Sequence, residues 1–334
     1  MFHFYDLWFI LLAFLWVGYF FLEGFDFGVG VLTRLMARND TERRVLINTI
    51  APVWDGNEVW VVAAAGATFA AFPQWYATMF SSFYIPLLII IVCLIARGVS
   101  FEYRGKRPGR RWQRNWEQVT FWTSVITPFM WGLIFAGMVQ GIPINARGNY
   151  VGSIGGLFNG YSILGGFTLL ALFVLHGAVF TALKTADEMR ARARKFVPAL
   201  GAVALLLSLA FLIWTQVNSG DGASLGVMIV AFVALPIALF FNQLGREGWA
   251  FAFSGLTIMA ATAMLFLALF PDVIPSTLNP AWSLTVSNAS SGSYTLLVMT
   301  IVAAIFSPLI LLYQSWTYWV FSRRLSVHHI PAAH

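Results

Sequence analysis

Apolar residues fall in blocks of about 20 or more along nearly the whole chain, with short polar segments between them. A helix crossing a bilayer needs about 20 such residues, and nine stretches reach that length, roughly 5–32, 48–72, 77–97, 117–140, 159–183, 197–217, 224–243, 249–270 and 293–321. In hydrocarbon every backbone polar group must be satisfied internally, which leaves helices or closed barrels. These stretches are too long and too continuous for barrel strands. The pattern predicts an all-α polytopic membrane protein of nine transmembrane helices, forming one integral membrane domain over 1–334. Four crossings return the chain to its starting side. Helices 1–4 (about 5–140) and helices 5–8 (about 159–270) therefore read as two four-helix bundles. Helix 9 (about 293–321), which carries Pro308, reads as a peripheral helix, tilted or kinked.

Composition agrees: 59% of residues are hydrophobic and 10% charged. Charge then orients the chain, because short cytoplasmic loops are enriched in Lys and Arg. The loop after helix 1 (Arg34, Arg38, Arg43, Arg44), the run from Arg97 to Arg114, the connection holding Lys184 to Lys195, Arg246, and the pair Arg323 and Arg324 all fall on one side. Arg147 alone falls on the other, a division of 19 to 1 among 20 basic residues. The N-terminus is thus expected outside and the C-terminus in the cytoplasm. The net charge of +6 reflects this topology, with attraction to anionic lipid heads, and gives no reason to expect nucleic acid. The Arg97–Arg114 run reads as a solvated cytoplasmic face. The start Met1-Phe2-His3-Phe4-Tyr5-Asp6 lacks the basic residues of a cleavable signal peptide. The single cysteine, Cys93, excludes an internal disulfide and a thiolate metal cluster. Trp8, Trp75, Trp282, Trp316 and Trp319, near helix ends, read as interfacial anchors.

Candidate chemistry lies in four acids within the first two apolar stretches. Glu23 and Asp26 are three residues apart, as are Asp55 and Glu58, which puts each pair on one helix face. An intramembrane acid is costly unless it faces a partner, a cavity or water. At 1.5 Å per residue, both pairs lie about 10–15 Å from the cytoplasmic ends of their helices. Antiparallel neighbours would bring all four to one level, where they could hold and pass protons. The surrounding strings, Glu23-Gly24-Phe25-Asp26-Phe27-Gly28 and Trp54-Asp55-Gly56-Asn57-Glu58-Val59-Trp60, read as polar, glycine-bearing interruptions. A purely structural role competes: Asp55 and Asn57 could hydrogen-bond neighbouring helices, and Arg34 or Arg44 could neutralise Asp26. His176 is the one histidine inside an apolar stretch. A bis-histidine haem therefore cannot be built from these helices. A five-coordinate haem on His176 competes with a hydrogen-bonded core histidine. The tail Val327-His328-His329-Ile330 reads as solvated rather than as a metal site. Acids at the membrane midplane also fit a proton-coupled secondary transporter, although such sites usually draw on both repeats and these acids are confined to helices 1 and 2.

The string Gly24-Phe25-Asp26-Phe27-Gly28-Val29-Gly30 resembles the start of subunit II of the cytochrome bd-type quinol oxidases. So do Arg38-Asn39-Asp40-Thr41-Glu42-Arg43-Arg44, the stretch Asn48 to Trp60, and Phe101-Glu102-Tyr103-Arg104. The match is dense over about residues 20–105 and beyond that rests on helix count and loop layout. The departures are Glu23, where an aspartate is common, and Glu58, where a glutamine can occur. The resemblance implies a bacterial cytoplasmic-membrane complex that oxidises quinol and reduces dioxygen to water. Haem b and haem d would belong to a larger subunit I, an obligate partner that this chain stabilises. A small single-helix subunit and a structural quinone are further expectations. By similarity, Asp55 would lie on the proton route with Glu23, Asp26 and Glu58 as neighbours, supported by Trp54, Gly56 and Asn57. Trp60 would border an oxygen path. No catalytic residue in the strict sense and no metal ligand is expected in this chain.

Overall fold

The computed structural model describes residues 3–329. Met1, Phe2, Ile330 and His334, which entered the readings of the two chain ends, lie outside the described residues. Eleven α-helices follow in order: α1 (Phe4–Leu35), α2 (Asp40–Ile50), α3 (Trp54–Ala71), α4 (Pro73–Ser82), α5 (Tyr84–Tyr103), α6 (Arg110–Gln140), α7 (Gly160–Lys184), α8 (Asp187–Ser219), α9 (Gly222–Gln243), α10 (Glu247–Leu269) and α11 (Ser293–Val320). Their starts have local causes. The Asn39 side chain accepts from the Glu42 amide, the Asn159 side chain from the amides of Tyr161 and Ser162, and Asp221 with Ser224 closes a reciprocal capping pair. Pro73 opens α4 at a position that needs no amide donor.

Among the described residues, eight helices are long and apolar enough to cross a membrane. The difference from nine lies in the stretch 48–72. There the chain breaks at Ala51-Pro52-Val53, and the 18-residue α3 carries Asp55, Asn57 and Glu58, so it does not meet the apolar criterion. The expected 77–97 helix is also divided, at Phe83, into α4 and α5. The acidic string in α1 interrupts nothing: α1 is continuous through it. Its glycines instead admit α7. A Cβ on Gly28 would strike the backbone of Phe173 and Gly177, and one on Gly177 would strike the backbone of Gly28. Helix α1 is central, packing on α3, α6, α7 and α10, while α7, α8, α9 and α10 pack around one another. Edge-to-face contacts of Trp16 with Trp131 and Phe135, both at 4.9 Å, fill the α1–α6 seam. Trp8 and Trp75 are core residues rather than interfacial anchors, 5% and 1% exposed.

At one end of the molecule the connections 141–159 and 270–292 pair with each other. A short antiparallel pair, β1 (Asp272–Ile274) and β2 (Leu284–Thr285), forms within the second. Ile142 donates its amide to the Pro275 carbonyl and accepts from Thr277. At the opposite, basic end the loops interlock through ions. Arg192 clamps both Glu42 oxygens at 2.7 and 3.2 Å, joining α2 to α8. Glu247, at the start of α10, meets Arg190 at 2.8 Å and Arg324 at 3.3 Å. The segment after α11 is stitched to the α7–α8 connection, Leu325 donating to the Lys184 carbonyl and Ala186 to that of Leu325. Helix α11 itself buries one residue, Leu296. Pro308 lies inside it without breaking it.

Two outcomes follow from this packing. Gly177→Val forces side-chain volume into the α1 backbone, and overpacking of this kind costs about 1–3 kcal/mol or more; a melting temperature equal to that of the unaltered protein would disprove the close crossing. Burial raises the Glu42 carboxyl, but the Arg192 guanidinium and the Arg38 amide outweigh it and hold the group below the usual glutamate value. Its stabilisation is therefore complete above the unfolded value, about 4.3, and fades as pH falls through the lower folded one. The melting temperatures of Glu42→Gln and unaltered protein should differ near neutrality and converge in acid.

Candidate functional site

Helices α1, α3 and α5 meet around one buried cation. Arg97 is 0% exposed and reaches from α5 to Glu23 Oε2 of α1 at 2.6 Å and Glu58 Oε1 of α3 at 3.2 Å. Its guanidinium lies over the Phe27 ring, 4.2 Å from the centroid, an attractive placement for a desolvated cation. Glu23 and Asp26 are fully buried, whereas the Glu58 side chain keeps 21% of its exposure. One guanidinium thus faces a group of three carboxyls. Glu23 Oε1, Asp26 Oδ1 and two Arg97 nitrogens have no hydrogen-bond partner. Polar groups this deep are ordinarily paired with protein or water.

A second polar chain starts at Asp26. Its Oδ2 accepts from Asn57 Nδ2 at 2.6 Å. Asn57 Oδ1 accepts from the Tyr318 hydroxyl at 2.8 Å and from Gln314 Nε2 at 3.2 Å. Gln314 Oε1 accepts from the Trp60 indole at 2.8 Å. Asp26 is thus met by Asn57 rather than by Arg34, which donates to Gln118 at 2.7 Å.

Four of the residues singled out by sequence, Glu23, Asp26, Asn57 and Glu58, come together here. Asp55 does not join them. It sits on the exposed face of α3, in its first turn, where its carboxylate accepts from the Gly56 amide at 2.8 Å and complements the helix dipole. Gly56 faces open space, and Trp54 packs over Gly98 and Phe101. Trp60 lies against Gly18 and Phe14. Arg97 belongs to the core of the site and not to the solvated basic face where its place at the head of a basic run put it. The available signal was its position: six residues separate it from Arg104, and the block before it is uninterruptedly apolar. Gln314 and Tyr318 were missed as well. They are four apart on one face of α11, the spacing that would have paired them.

His176 resolves as a core histidine. Its Nδ1 lies 2.8 Å from Ser254 Oγ, which itself donates to the Phe251 carbonyl, so Nδ1 carries the proton. The ring is fully buried and stacks on Phe251 at 4.6 Å between centroids. An apolar cavity of about 30 Å³ among α1, α6, α7, α8 and α10, lined by Phe20, Leu172 and Ile258 among others, is smaller than a quinone ring. Among the described residues no group of three or more His, Cys, Asp or Glu side chains is placed to hold a metal ion.

Residues 4–321 match the family model of cytochrome bd terminal oxidase subunit II. The chain is 44% identical over 326 residues to cytochrome bd ubiquinol oxidase subunit 2 of Bacillus subtilis, covering 96% of both chains. It is 34% identical to cytochrome bd-I ubiquinol oxidase subunit 2 of Escherichia coli K12, covering 97% of this chain and 96% of that one. The fold is shared with a chain of the bd oxidase from Geobacillus thermodenitrificans, at a TM-score of 0.74 and 18% identity over 94% of this chain and 98% of the other.

Removing Arg97 leaves Glu23 buried without its cation, which costs about 3–5 kcal/mol. Arg97→Met should lower the melting temperature far more than Glu23→Gln, which keeps an acceptor for the guanidinium. Equal and small effects would contradict the buried pairing.

Proposed function

The chain belongs to the cytochrome bd terminal oxidase subunit II family, and from that premise we propose that its buried acids supply protons to the oxidase. As such it is a membrane subunit of an oxidoreductase complex. The complex oxidises quinol and reduces dioxygen to water, with haem b and haem d in a larger subunit I that this chain binds and stabilises. Its place is the bacterial cytoplasmic membrane. The N-terminus is outside and the basic end cytoplasmic. α3, with the break before it, counts as the ninth span. Helices α1, α3, α5 and α6 form one four-helix bundle and α7 to α10 the other, with α11 peripheral, a reading supported by the packing pairs. A small single-helix subunit fits the sparsely packed α11. A structural quinone would lie outside the small apolar cavity lined by Phe20 and Ile258.

The observation that carries the proton reading is a gradient of exposure. Asp55 is exposed, Glu58 is partly exposed one turn further along α3, and Glu23 and Asp26 are sealed. A proton taken up at Asp55 passes to Glu58, whose Oε1 shares the Arg97 guanidinium with Glu23. The unpartnered Glu23 Oε1 and Asp26 Oδ1 are the atoms free to receive it. Arg97 keeps the negative charge of these acids tolerable between transfers. Trp60, with the exposed apolar side chains Phe14, Val59 and Val62 nearby on α1 and α3, borders a path for oxygen. Family membership displaces the transporter reading.

Glu23→Gln, Asp26→Asn and Glu58→Gln should each lower oxygen consumption by the assembled complex roughly tenfold or more, the scale of a lost proton-transfer group, with haem content unchanged. Asp55→Asn should have a smaller effect, because Asp55 lies outside the sealed cluster. Full turnover in all four would refute the proton route and leave the family assignment intact.

A further inference from the structure

Helix α11 buries a single residue, yet it sends two side chains to the acid cluster. We infer that Gln314 and Tyr318 of α11, together with Trp60, are positioning residues that fix the direction of the Asn57 amide and so hold Asp26 Oδ2 as an acceptor. The argument is one of donor and acceptor inventory. An indole N–H can only donate, so Gln314 must turn Oε1 toward Trp60, as found at 2.8 Å. Its Nε2 is then left facing Asn57 Oδ1, at 3.2 Å. The Tyr318 hydroxyl donates to the same oxygen at 2.8 Å. With Oδ1 engaged twice, Asn57 presents Nδ2 to Asp26 Oδ2 at 2.6 Å.

Turning Asn57 over would set its NH2 against the Gln314 NH2 and its oxygen against the carboxylate. Asn57 is fully buried, so water is not at hand to repair the mismatch. Its backbone amide is already committed to the Val53 carbonyl. The chain of bonds therefore has one polarity, set at the donor-only indole and read out at Asp26. With Oδ2 accepting, Oδ1, buried and unpartnered, is the oxygen left to carry a proton. This deepens the proton-route reading and rests on it for its consequence, though the polarity itself rests on geometry alone.

The test uses the assembled, haem-containing complex. Among the described residues the hydrogen-bonded path from Trp60 to Asp26 runs through Gln314 and Asn57, so independent sites would give additive losses. Asparagine at position 26 can offer Asn57 either a donor or an acceptor, which lifts the polarity requirement. Trp60→Phe should therefore lower the melting temperature by several degrees beside Asp26 and by much less in the Asp26→Asn background. Gln314→Met replaces Trp60→Phe in the same cycle should the latter fail to assemble. In Gln314→Met alone, the pH profile of oxygen consumption should move by roughly half to one pH unit, the scale of one lost hydrogen bond, with the KM for quinol unchanged. Additive melting losses would overturn the inference, as would a profile that stays in place while Asp26→Asn lowers turnover. Full turnover in Asp26→Asn alone strikes the proton route instead, so the two failures are distinguishable.

Discussion

A guanidinium sealed among apolar helices is the constraint around which the rest of the molecule is arranged. Taking Arg97 out of water costs several kcal/mol, and the cost is recovered only where carboxylates and an aromatic face meet it closely. Glu23 and Phe27 on α1 and Glu58 on α3 do so. Three helices are thereby held at one depth by a charge none of them can abandon. The arrangement also explains why the acids persist in an oily chain. They are the cation's partners, and their number exceeds what one cation balances. The atoms of the structural ion pair are the same ones proposed to handle protons.

The two ends of the molecule are secured by different physics. At the basic end, arginines from the start of α8 and the segment after α11 converge on Glu42 and Glu247. At the other end, the long connections zip through backbone hydrogen bonds and a two-stranded ribbon. Between them the helices approach through small residues, Gly28 on Gly177 and Gly132 on Gly165 and Gly166. Lipid gives no hydrophobic drive between helices, so close backbone contact has to supply the attraction. Helix α11 lacks such contact and depends on Trp8, Gln314 and Tyr318, with the chain beyond it tied down at Lys184 and Glu247.

Hydropathy alone was enough for the helical class and for most spans, because burial in lipid is decided by the mean character of about 20 residues. It was enough, too, for Glu23, Asp26, Asn57 and Glu58, since polar atoms in apolar helices stand out without any knowledge of neighbours. Averages could not see where a helix breaks, at Val53 and Phe83, nor that Trp8 and Trp75 turn inward. Partnership was decided only in three dimensions. Arg97 looks like the first residue of a basic loop until α1 and α3 are placed beside it, and Asp55 looks equivalent to Glu58 until α3 turns it outward. The spacing of Gln314 and Tyr318 pairs them on one face of α11, but nothing in that segment points to Asn57, some 257 residues and more away. The sequence by itself determined which segments carry polar groups into apolar surroundings, because that depends on local composition. The tertiary structure decided which of them satisfy one another, because a hydrogen bond reaches about 3 Å and only folding brings distant helices within it.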